Sequence, residues 1–150
     1  MHPSRRAMTG LLLVDHGSRR TAANALLECV AAVVAEMAGP DVMVVAAHME
    51  LCPPDIDEAM RRLVDAGITS IKVVPYFLGP GRHATEDIPR LAAEAAAAHP
   101  DVEVTVGAPL GVHSDLARVV LDRAGLSVCT EVDGDCTGDP ATCRAPYCRR

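Results

Sequence analysis

Four short apolar runs recur along this chain of 150 residues, and each is followed by a segment whose apolar residues fall at helical spacing. This alternation predicts a parallel sheet built from βαβ units, because parallel neighbours need a helical crossover. Right-handed crossovers bring all four strand-to-helix turns to one edge of the sheet, where open α/β folds bind ligands. The runs are residues 11–14, 42–46, 70–75 and 102–106.

Turn formers bound the first two helical segments. Gly39 with Pro40 ends the first segment, Pro53 and Pro54 open the second, and Gly67 closes it. Apolar residues at helical spacing predict the faces that pack on the sheet. They are Leu26, Leu27, Val30, Val33, Val34 and Met37 in the first segment, Ile56, Met60 and Leu63 in the second, Leu91 in the third, and Leu116, Val119, Val120 and Leu121 in the fourth.

Hydroxyl and acidic residues predict where the last two helices start. Thr85 can cap the third helix, with Glu86 and Asp87 in its first turn, where the helix dipole favours carboxylates. Ser114 with Asp115 starts the fourth in the same way.

The predicted architecture is a single small α/β domain with a tail. A four-stranded, mainly parallel sheet carries helices on both faces, and its incompletely covered face or edge favours a homodimer. Residues 1–10 are expected to be a flexible N-terminus, 11–125 the domain, and 126–150 a cysteine-rich tail without its own hydrophobic core.

Charge and hydropathy exclude two classes of partner. The formal net charge of −6 argues against nucleic acid, since phosphate binding needs a basic surface. No apolar stretch approaches the roughly 20 residues of a membrane span, and the first apolar run is too short for a signal peptide. The expectation is a cytoplasmic protein without a membrane partner.

Two histidines in glycine-rich turns carry most of the functional information. His16 lies in VDHGSRR and His83 in LGPGRH, each directly after an apolar run. A lone histidine in such a turn is more often structural, but two on one predicted edge indicate a site for base chemistry or for a divalent metal. Asp15 can orient His16 or simply make a turn hydrogen bond.

A carboxylate follows the second run on the same edge. Glu50 can complete a set of two histidines and one carboxylate, which binds a divalent metal with positions left open, or it is a solvated loop residue. The neighbouring His48 is interpreted as a strand-end packing residue. His113 suits a helix start and a substrate contact equally well.

Common motifs of other enzyme classes are missing from the sequence. It contains no GxGxxG loop, no phosphate loop ending in GK[ST], and no GxSxG nucleophile elbow. Ser18 lies two positions from His16, too close for the separate base-orienting geometry of a catalytic triad.

Four ordered motifs resemble a known family. VDHGSRR with Asn24, AHMEL with a proline shortly after, VVPYFLGPGRH followed by DIP, and APLGVH are similar to the short sirohydrochlorin chelatases, the CbiX and SirB type of class II chelatase. The resemblance covers about residues 11 to 124. It implies insertion of Fe²⁺ or Co²⁺ into sirohydrochlorin, on a path to siroheme or to cobalamin.

The resemblance also implies roles for individual residues. His16 and His83 hold the incoming metal and take protons from the pyrrole nitrogens, with Glu50 as a further metal ligand. The substrate is rich in carboxylates, which match the guanidinium fork, so we expect it to contact Arg19, Arg20 and Arg82. Ser18 and Gly81, in the same turns, are further expected substrate contacts. Long family members contain two such domains, which implies that two copies of this chain build one active site.

The tail contains four of the six cysteines: Cys129, Cys136, Cys143 and Cys148. The core also resembles plant siroheme ferrochelatases, which carry a C-terminal cysteine-rich segment that holds a [2Fe-2S] cluster. The alternatives are a zinc site, and unstructured thiols or a disulfide.

Two functions from other classes stay open at this point. A non-catalytic carrier would use the histidines and the tail cysteines to store or deliver a metal or a tetrapyrrole. An electron-transfer module would need a redox-active tail cluster and would give His83 no role.

Overall fold

The computed structural model describes residues 8–132 and 134–136 of the chain. Helices and strands alternate along most of it, as the apolar runs predict. The elements in order are β1 (Thr9–Asp15), α1 (Thr21–Ala38), β2 (Val42–His48), α2 (Ile56–Asp65), β3 (Ser70–Pro75), a π-helical turn (His83–Asp87) that continues into α3 (Ile88–Ala96), β4 (Glu103–Val106), β5 (Val112–His113), α4 (Ser114–Arg123) and β6 (Asp135–Cys136).

The first four strands form one parallel sheet in the order β2-β1-β3-β4. Each lies within two residues of its predicted run. Asp15 at the end of β1 is in register with His48 at the end of β2, and Val14 pairs with Pro75 of β3. The turns that carry the predicted site residues therefore leave the sheet from a common edge.

The larger core lies between the sheet and the pair α2 and α3. Alternate strand residues such as Leu12 and Val73 face this side, because side chains on a strand alternate between the two faces. They pack against the predicted stripe of α2, in which Ile56, Met60 and Leu63 are all buried. The predicted buried stripe of this helix is confirmed.

The opposite face of the sheet is covered by α1 along a narrower stripe than predicted. Leu27 and Ala31 are buried against the sheet, with Val30 and Val34 packed beside them. The prediction was wrong for the outer part of the apolar face: Leu26, Val33 and Met37 are exposed by 56%, 57% and 82%. Spacing identifies a wide apolar sector on this helix, but α1 packs only one side of that sector onto β1 and β2.

The same helix is long and apolar enough to cross a membrane by length and composition, contrary to the sequence expectation. Residues 21–38 have a mean hydropathy of 1.4. A helix that packs on a sheet passes the same test, and α1 contacts both β1 and β2. The length and composition of α1 alone therefore do not show that it spans a membrane.

Two helices start differently from their predicted signals. Helix α2 is capped by Asp55, whose side chain accepts from the Glu58 backbone N–H while the Glu58 carboxylate accepts from the Asp55 N–H, so Pro53 and Pro54 lie before the cap. Thr85 caps nothing. It lies inside the π-helical turn and donates its hydroxyl proton to the Gly81 carbonyl, because the chain is already helical there.

The fourth helix starts at Ser114 as predicted but has no buried residue. Val119 and Val120, predicted to pack inward, are 49% and 68% exposed. The helix lies against β5, which pairs antiparallel with β6 of the predicted tail. Arg118 on α4 also pairs with Glu131 and holds the pKa of that carboxyl below its usual value. The described residues therefore leave Val119 and Val120 of α4 uncovered.

Candidate functional site

The turn that follows β1 carries His16 and requires glycine at the next position. Gly17 has a φ of +86°, and a Cβ atom there would lie 1.9 Å from the Glu50 carbonyl oxygen. Its backbone N–H donates to Asp15 Oδ1 at 3.0 Å. The chain can therefore pass close to the loop after β2, and this close approach brings His16 beside that loop.

A second set of hydrogen bonds joins this turn to α1. The Ser18 N–H donates to Asn24 Oδ1 at 2.9 Å, and Asn24 Nδ2 donates to the Ser18 carbonyl at 2.7 Å. Ser18 Oγ accepts from the Arg20 N–H. The Asn24 of the first motif thus fixes the backbone that follows His16.

Glu50 lies directly against His16. The distance from His16 Nε2 to Glu50 Oε1 is 2.9 Å, and the two side chains are 41% and 54% exposed. The backbone joins them too, since the Glu50 N–H donates to the His16 carbonyl at 3.1 Å. Both groups are therefore held together and remain open to an incoming ligand.

His83 reaches the same place from the turn after β3. Its ring centroid lies 5.0 Å from that of His16, with the two planes at 65°. His83 Nδ1 contacts Asp87 Oδ2 at 2.8 Å, and the side chain is 48% exposed. Asp87 therefore holds one ring nitrogen while Nε2 is left to bind something else.

The three predicted metal ligands are thus neighbours, but they are not yet arranged around an ion. Across residues 8–132 and 134–136, no group of three His, Cys, Asp or Glu side chains is placed to coordinate one metal. The His16 ring is engaged by Glu50, so a metal that takes both groups must first replace their mutual hydrogen bond. Imidazole nitrogens are also the most common general bases in enzymes.

Asp15 orients a different histidine from the one considered in the sequence. Its Oδ1 lies 2.5 Å from His48 Nδ1, and His48 is 1% exposed. Asp15 also accepts from Gly17, which is the turn hydrogen bond that the sequence left open. The interpretation of His48 as a buried strand-end residue is confirmed.

The predicted substrate contacts lie in the same two turns of the chain as His16 and His83. Arg19 and Arg20 are exposed in the turn before α1. Arg82 is 79% exposed and lies 3.6 Å from Glu86. A Cβ atom on Gly81 would meet nothing within 4 Å, so the backbone there faces open space. The guanidinium groups are therefore available to a carboxylate-rich ligand.

The other candidates lie apart from the cluster or outside the described chain. His113 is the N-cap of α4, and its Nδ1 accepts from the Asp115 N–H, which is the helix-start role. Cys129 is exposed and Cys136 is buried. The predicted ligands Cys143 and Cys148 fall outside the described residues.

Sequence reasoning missed Asp87 as a functional residue. It was assigned to the first turn of a helix, whereas its carboxylate contacts His83. The signal was present, because residues four apart on a helical turn face each other.

A parallel α/β fold that gathers two imidazoles, a carboxylate and nearby arginines at the strand ends defines a class of protein that binds a metal or an anionic small molecule. Comparison with known families makes this specific. The family model described as CbiX matches residues 10–125, and the chain belongs to the CbiX family.

Curated relatives include enzymes named for two metals. The chloroplastic sirohydrochlorin ferrochelatase of Arabidopsis thaliana is 42% identical over 126 residues, which are 84% of this chain and 55% of that protein. The sirohydrochlorin cobaltochelatase of Methanopyrus kandleri is 31% identical and covers 77% of this chain and 94% of its own length. This chain thus spans about half of the plant relative and nearly all of the archaeal one.

Solved structures of similar proteins have the same fold. The CbiX protein of Marinobacter aquaeolei, described as a putative cobalamin biosynthesis protein, superposes with a TM-score of 0.66 at 27% identity and covers 78% of this chain and 94% of that one. The sirohydrochlorin chelatase SirB of Bacillus subtilis subspecies spizizenii, in complex with cobalt, gives a TM-score of 0.69 at 27% identity over 79% of this chain and 50% of that one.

Proposed function

We propose that this protein inserts a divalent metal into sirohydrochlorin, with Fe²⁺ as the leading substrate and Co²⁺ as the alternative. The observation that carries the proposal is the convergence of His16, Glu50 and His83 at one open edge of a CbiX-family fold. The identity of 42% with a ferrochelatase favours iron, although cobaltochelatases are among the relatives. Imidazole and carboxylate ligands accept either ion.

The reaction needs a weak metal site that also accepts protons. A divalent ion loses its water ligands, forms bonds to the pyrrole nitrogens, and displaces the two protons that those nitrogens carry. In this proposal His16 and His83 hold the ion and receive those protons, which then pass to solvent. Glu50 shares its carboxylate with His16, so it can compensate charge as the ion enters.

The arginines next to His16 and His83 in the chain are the candidates for recognising the substrate. We propose that Arg19, Arg20 and Arg82 bind carboxylates of the tetrapyrrole, with Ser18 and Gly81 shaping the turns beside them. Guanidinium groups match carboxylates in geometry and stay charged at every physiological pH. Their exposure leaves them available for these contacts.

We also propose a homodimer in which a second copy completes the active site. On the α1 side, Lys72 of β3 and Thr105 of β4 are exposed, so this part of the sheet is open. Helix α4 has no buried residue, and its valines are exposed. This chain matches half of the longer SirB chain, which suits two copies doing the work of one long chain.

The proposed [2Fe-2S] cluster receives no support from the described residues. Cys129 is exposed and Cys136 is buried, and the part of the chain that the structure describes contains no group of three possible metal ligands. We therefore assign no step of the reaction to a cluster. Ferrous iron and reduced thiols both suit a reducing compartment, so we propose that the protein acts in the cytoplasm.

Anaerobic metal insertion tests the proposed function. The absorption change of sirohydrochlorin is followed with Fe²⁺ and, separately, with Co²⁺, in the wild type beside His16→Ala and His83→Ala. Each substitution removes a metal ligand and a proton acceptor, so turnover should fall by about 100-fold or more. Glu94→Ala, an exposed acidic residue on α3, is the control and should keep wild-type turnover.

The outcomes separate an enzyme from a carrier. Collapse of turnover in both histidine variants supports the chelatase, and the ratio of the two metal rates assigns the physiological ion. Stoichiometric binding of sirohydrochlorin without turnover by the wild-type protein would contradict the proposal and favour a tetrapyrrole carrier.

A further inference from the structure

The buried His48–Asp15 pair lies where the two loops of the proposed metal site leave the sheet. His48 and Asp15 are the last residues of β2 and β1 and are in register across the ladder. His48 is 1% exposed, and its Nδ1 lies 2.5 Å from Asp15 Oδ1, whereas Asp15 is 22% exposed. The proposed reaction assigns neither residue a part in binding metal or substrate.

The same carboxylate oxygen controls the turn that holds His16. Asp15 Oδ1 accepts both from His48 and from the Gly17 N–H, which lies 3.0 Å away. The His48 Cβ atom is also 3.2 Å from the position that a Cβ on Gly17 would occupy. The imidazole of His48 therefore supports the turn through its hydrogen bond to Asp15, and the backbone of β2 passes close to Gly17.

Backbone hydrogen bonds carry this constraint onward to Glu50. The Met49 N–H donates to the Asp15 carbonyl at 2.8 Å, and the Glu50 N–H donates to the His16 carbonyl at 3.1 Å. The His48 N–H donates to the Pro54 carbonyl at 2.9 Å and closes the loop from the other end. The loop that carries Glu50 is thus tied by backbone hydrogen bonds to Asp15 and His16, next to the side-chain pair.

We infer that the His48–Asp15 pair is a positioning element that fixes the separation of His16 and Glu50, and thereby sets the affinity for the incoming metal. A hydrogen bond between an imidazole and a carboxylate is directional and strong where water is excluded. Without it, the carboxylate loses its buried partner, and the turn gains freedom to move away from the loop. The inference rests on the proposed metal insertion.

Metal binding without tetrapyrrole is the direct measurement. The protein is titrated with Co²⁺ alone under anaerobic conditions and followed by calorimetry and visible absorption. We expect His48→Leu to weaken Co²⁺ binding by about 10-fold, the low end of the effect of removing the direct partner of a metal ligand, because His48 acts through Asp15 and the turn. The KM for metal should rise with it, while the KM for sirohydrochlorin should stay near the wild-type value.

A conservative variant separates positioning from simple packing. In His48→Asn, the side-chain amide nitrogen occupies a place similar to Nδ1 and can donate to Asp15, so it should recover most of the lost affinity. Leu63→Val is the matched control, because Leu63 is fully buried beside Gly10 at the opposite end of the strands. It should lower the melting temperature without changing the Co²⁺ affinity.

Asp15→Ala keeps the test valid if His48→Leu folds poorly. Combined with His48→Leu, it also gives a double-substitution cycle. Asp15→Ala removes the same hydrogen bond and also the one from the Gly17 N–H, so it should cause a loss at least as large. If the two residues act as a unit, the Co²⁺ affinity of the double variant should equal that of whichever single variant binds Co²⁺ less tightly. Additive losses, wild-type affinity in His48→Leu or Asp15→Ala, or an equal loss in Leu63→Val would each overturn the inference.

The proposed function can fail separately. If His16→Ala keeps full turnover, metal insertion at this site is wrong. If His16→Ala abolishes turnover while His48→Leu, shown to be folded, binds Co²⁺ like the wild type, then the site stands and the positioning role is wrong.

Discussion

The imidazole of His83 is held by a carboxylate on its own helical turn. Asp87 Oδ2 lies 2.8 Å from Nδ1, and Asp87 is 22% exposed. A carboxylate behind a histidine fixes the orientation of the ring and makes the opposite nitrogen a better electron donor. At the residue scale, His83 thus has a carboxylate partner of its own, distinct from the Glu50 that contacts His16.

Replacing Asp87 should therefore weaken the site through His83. Asp87→Ala should lower Co²⁺ affinity and metal insertion by about 10- to 100-fold, whereas Asp87→Asn, which can still accept from Nδ1, should lose less. Both are measured by anaerobic titration and turnover. Glu94→Ala is the matched control, because Glu94 and Asp87 flank the same Arg90. Equal losses in Asp87→Ala and Glu94→Ala would contradict this role for Asp87.

Sequence reasoning predicted that His16, Glu50 and His83 come together, but not which residues hold them in place. His16, Glu50 and His83 follow strands, and the shared edge of a parallel sheet brings such positions together. The contact of Asp15 with His48 spans 33 residues, and it depends on a strand register that spacing along the chain does not give. Asp87 was missed because its place in a first helical turn already had an ordinary explanation.

At the scale of elements, the start of α2 is fixed by a reciprocal pair of hydrogen bonds. Asp55 Oδ1 accepts from the Glu58 N–H at 2.8 Å, and Glu58 Oε2 accepts from the Asp55 N–H at 3.0 Å. Asp55→Ala should lower the free energy of unfolding by about 1 kcal/mol in urea denaturation. Asp65→Ala, in the last turn of the same helix, should not destabilise, because a carboxylate there opposes the helix dipole.

Activity provides the second check on this helix. Because Asp55 belongs to none of the proposed ligand or arginine positions, folded Asp55→Ala should insert metal at the wild-type rate. A variant that keeps full stability, or one that loses turnover while folded, would contradict the assignment of a purely capping role.

The periodicity of apolar residues predicted where most helices and strands lie. It did not always predict which side of a helix is buried, because that depends on how the helix packs. The stripe of α2 was predicted correctly because polar residues surround it, which leaves one possible buried face. The apolar sector of α1 is wider than the strip of sheet that it covers, so Val33 and Met37 stay exposed. For α4 the spacing was right, but the described chain offers no surface to bury Val120, and spacing does not reveal that.

At the scale of the whole molecule, two features favour the proposed dimer: exposed apolar residues, and a candidate site that is open to solvent. The sheet is open over β3 and β4 on the α1 side, and α4 has no buried residue. A metal-insertion site also has to enclose a large planar ligand, and the cluster around His16 lies on one open edge of the chain. The proposed second copy would supply both a cover for α4 and another wall for the site.

The dimer proposal makes a prediction that compares two exposed valines. Val120 on α4 is 68% exposed and Val33 on α1 is 57% exposed, so an aspartate at either position costs little in a monomer. If α4 forms the interface, Val120→Asp should sediment as a monomer in analytical ultracentrifugation and lose most of its turnover, since a buried unpaired charge is costly. Val33→Asp should remain an active dimer. A wild-type protein that is fully active as a monomer, or dissociation caused by Val33→Asp instead, would show that α4 does not complete the site.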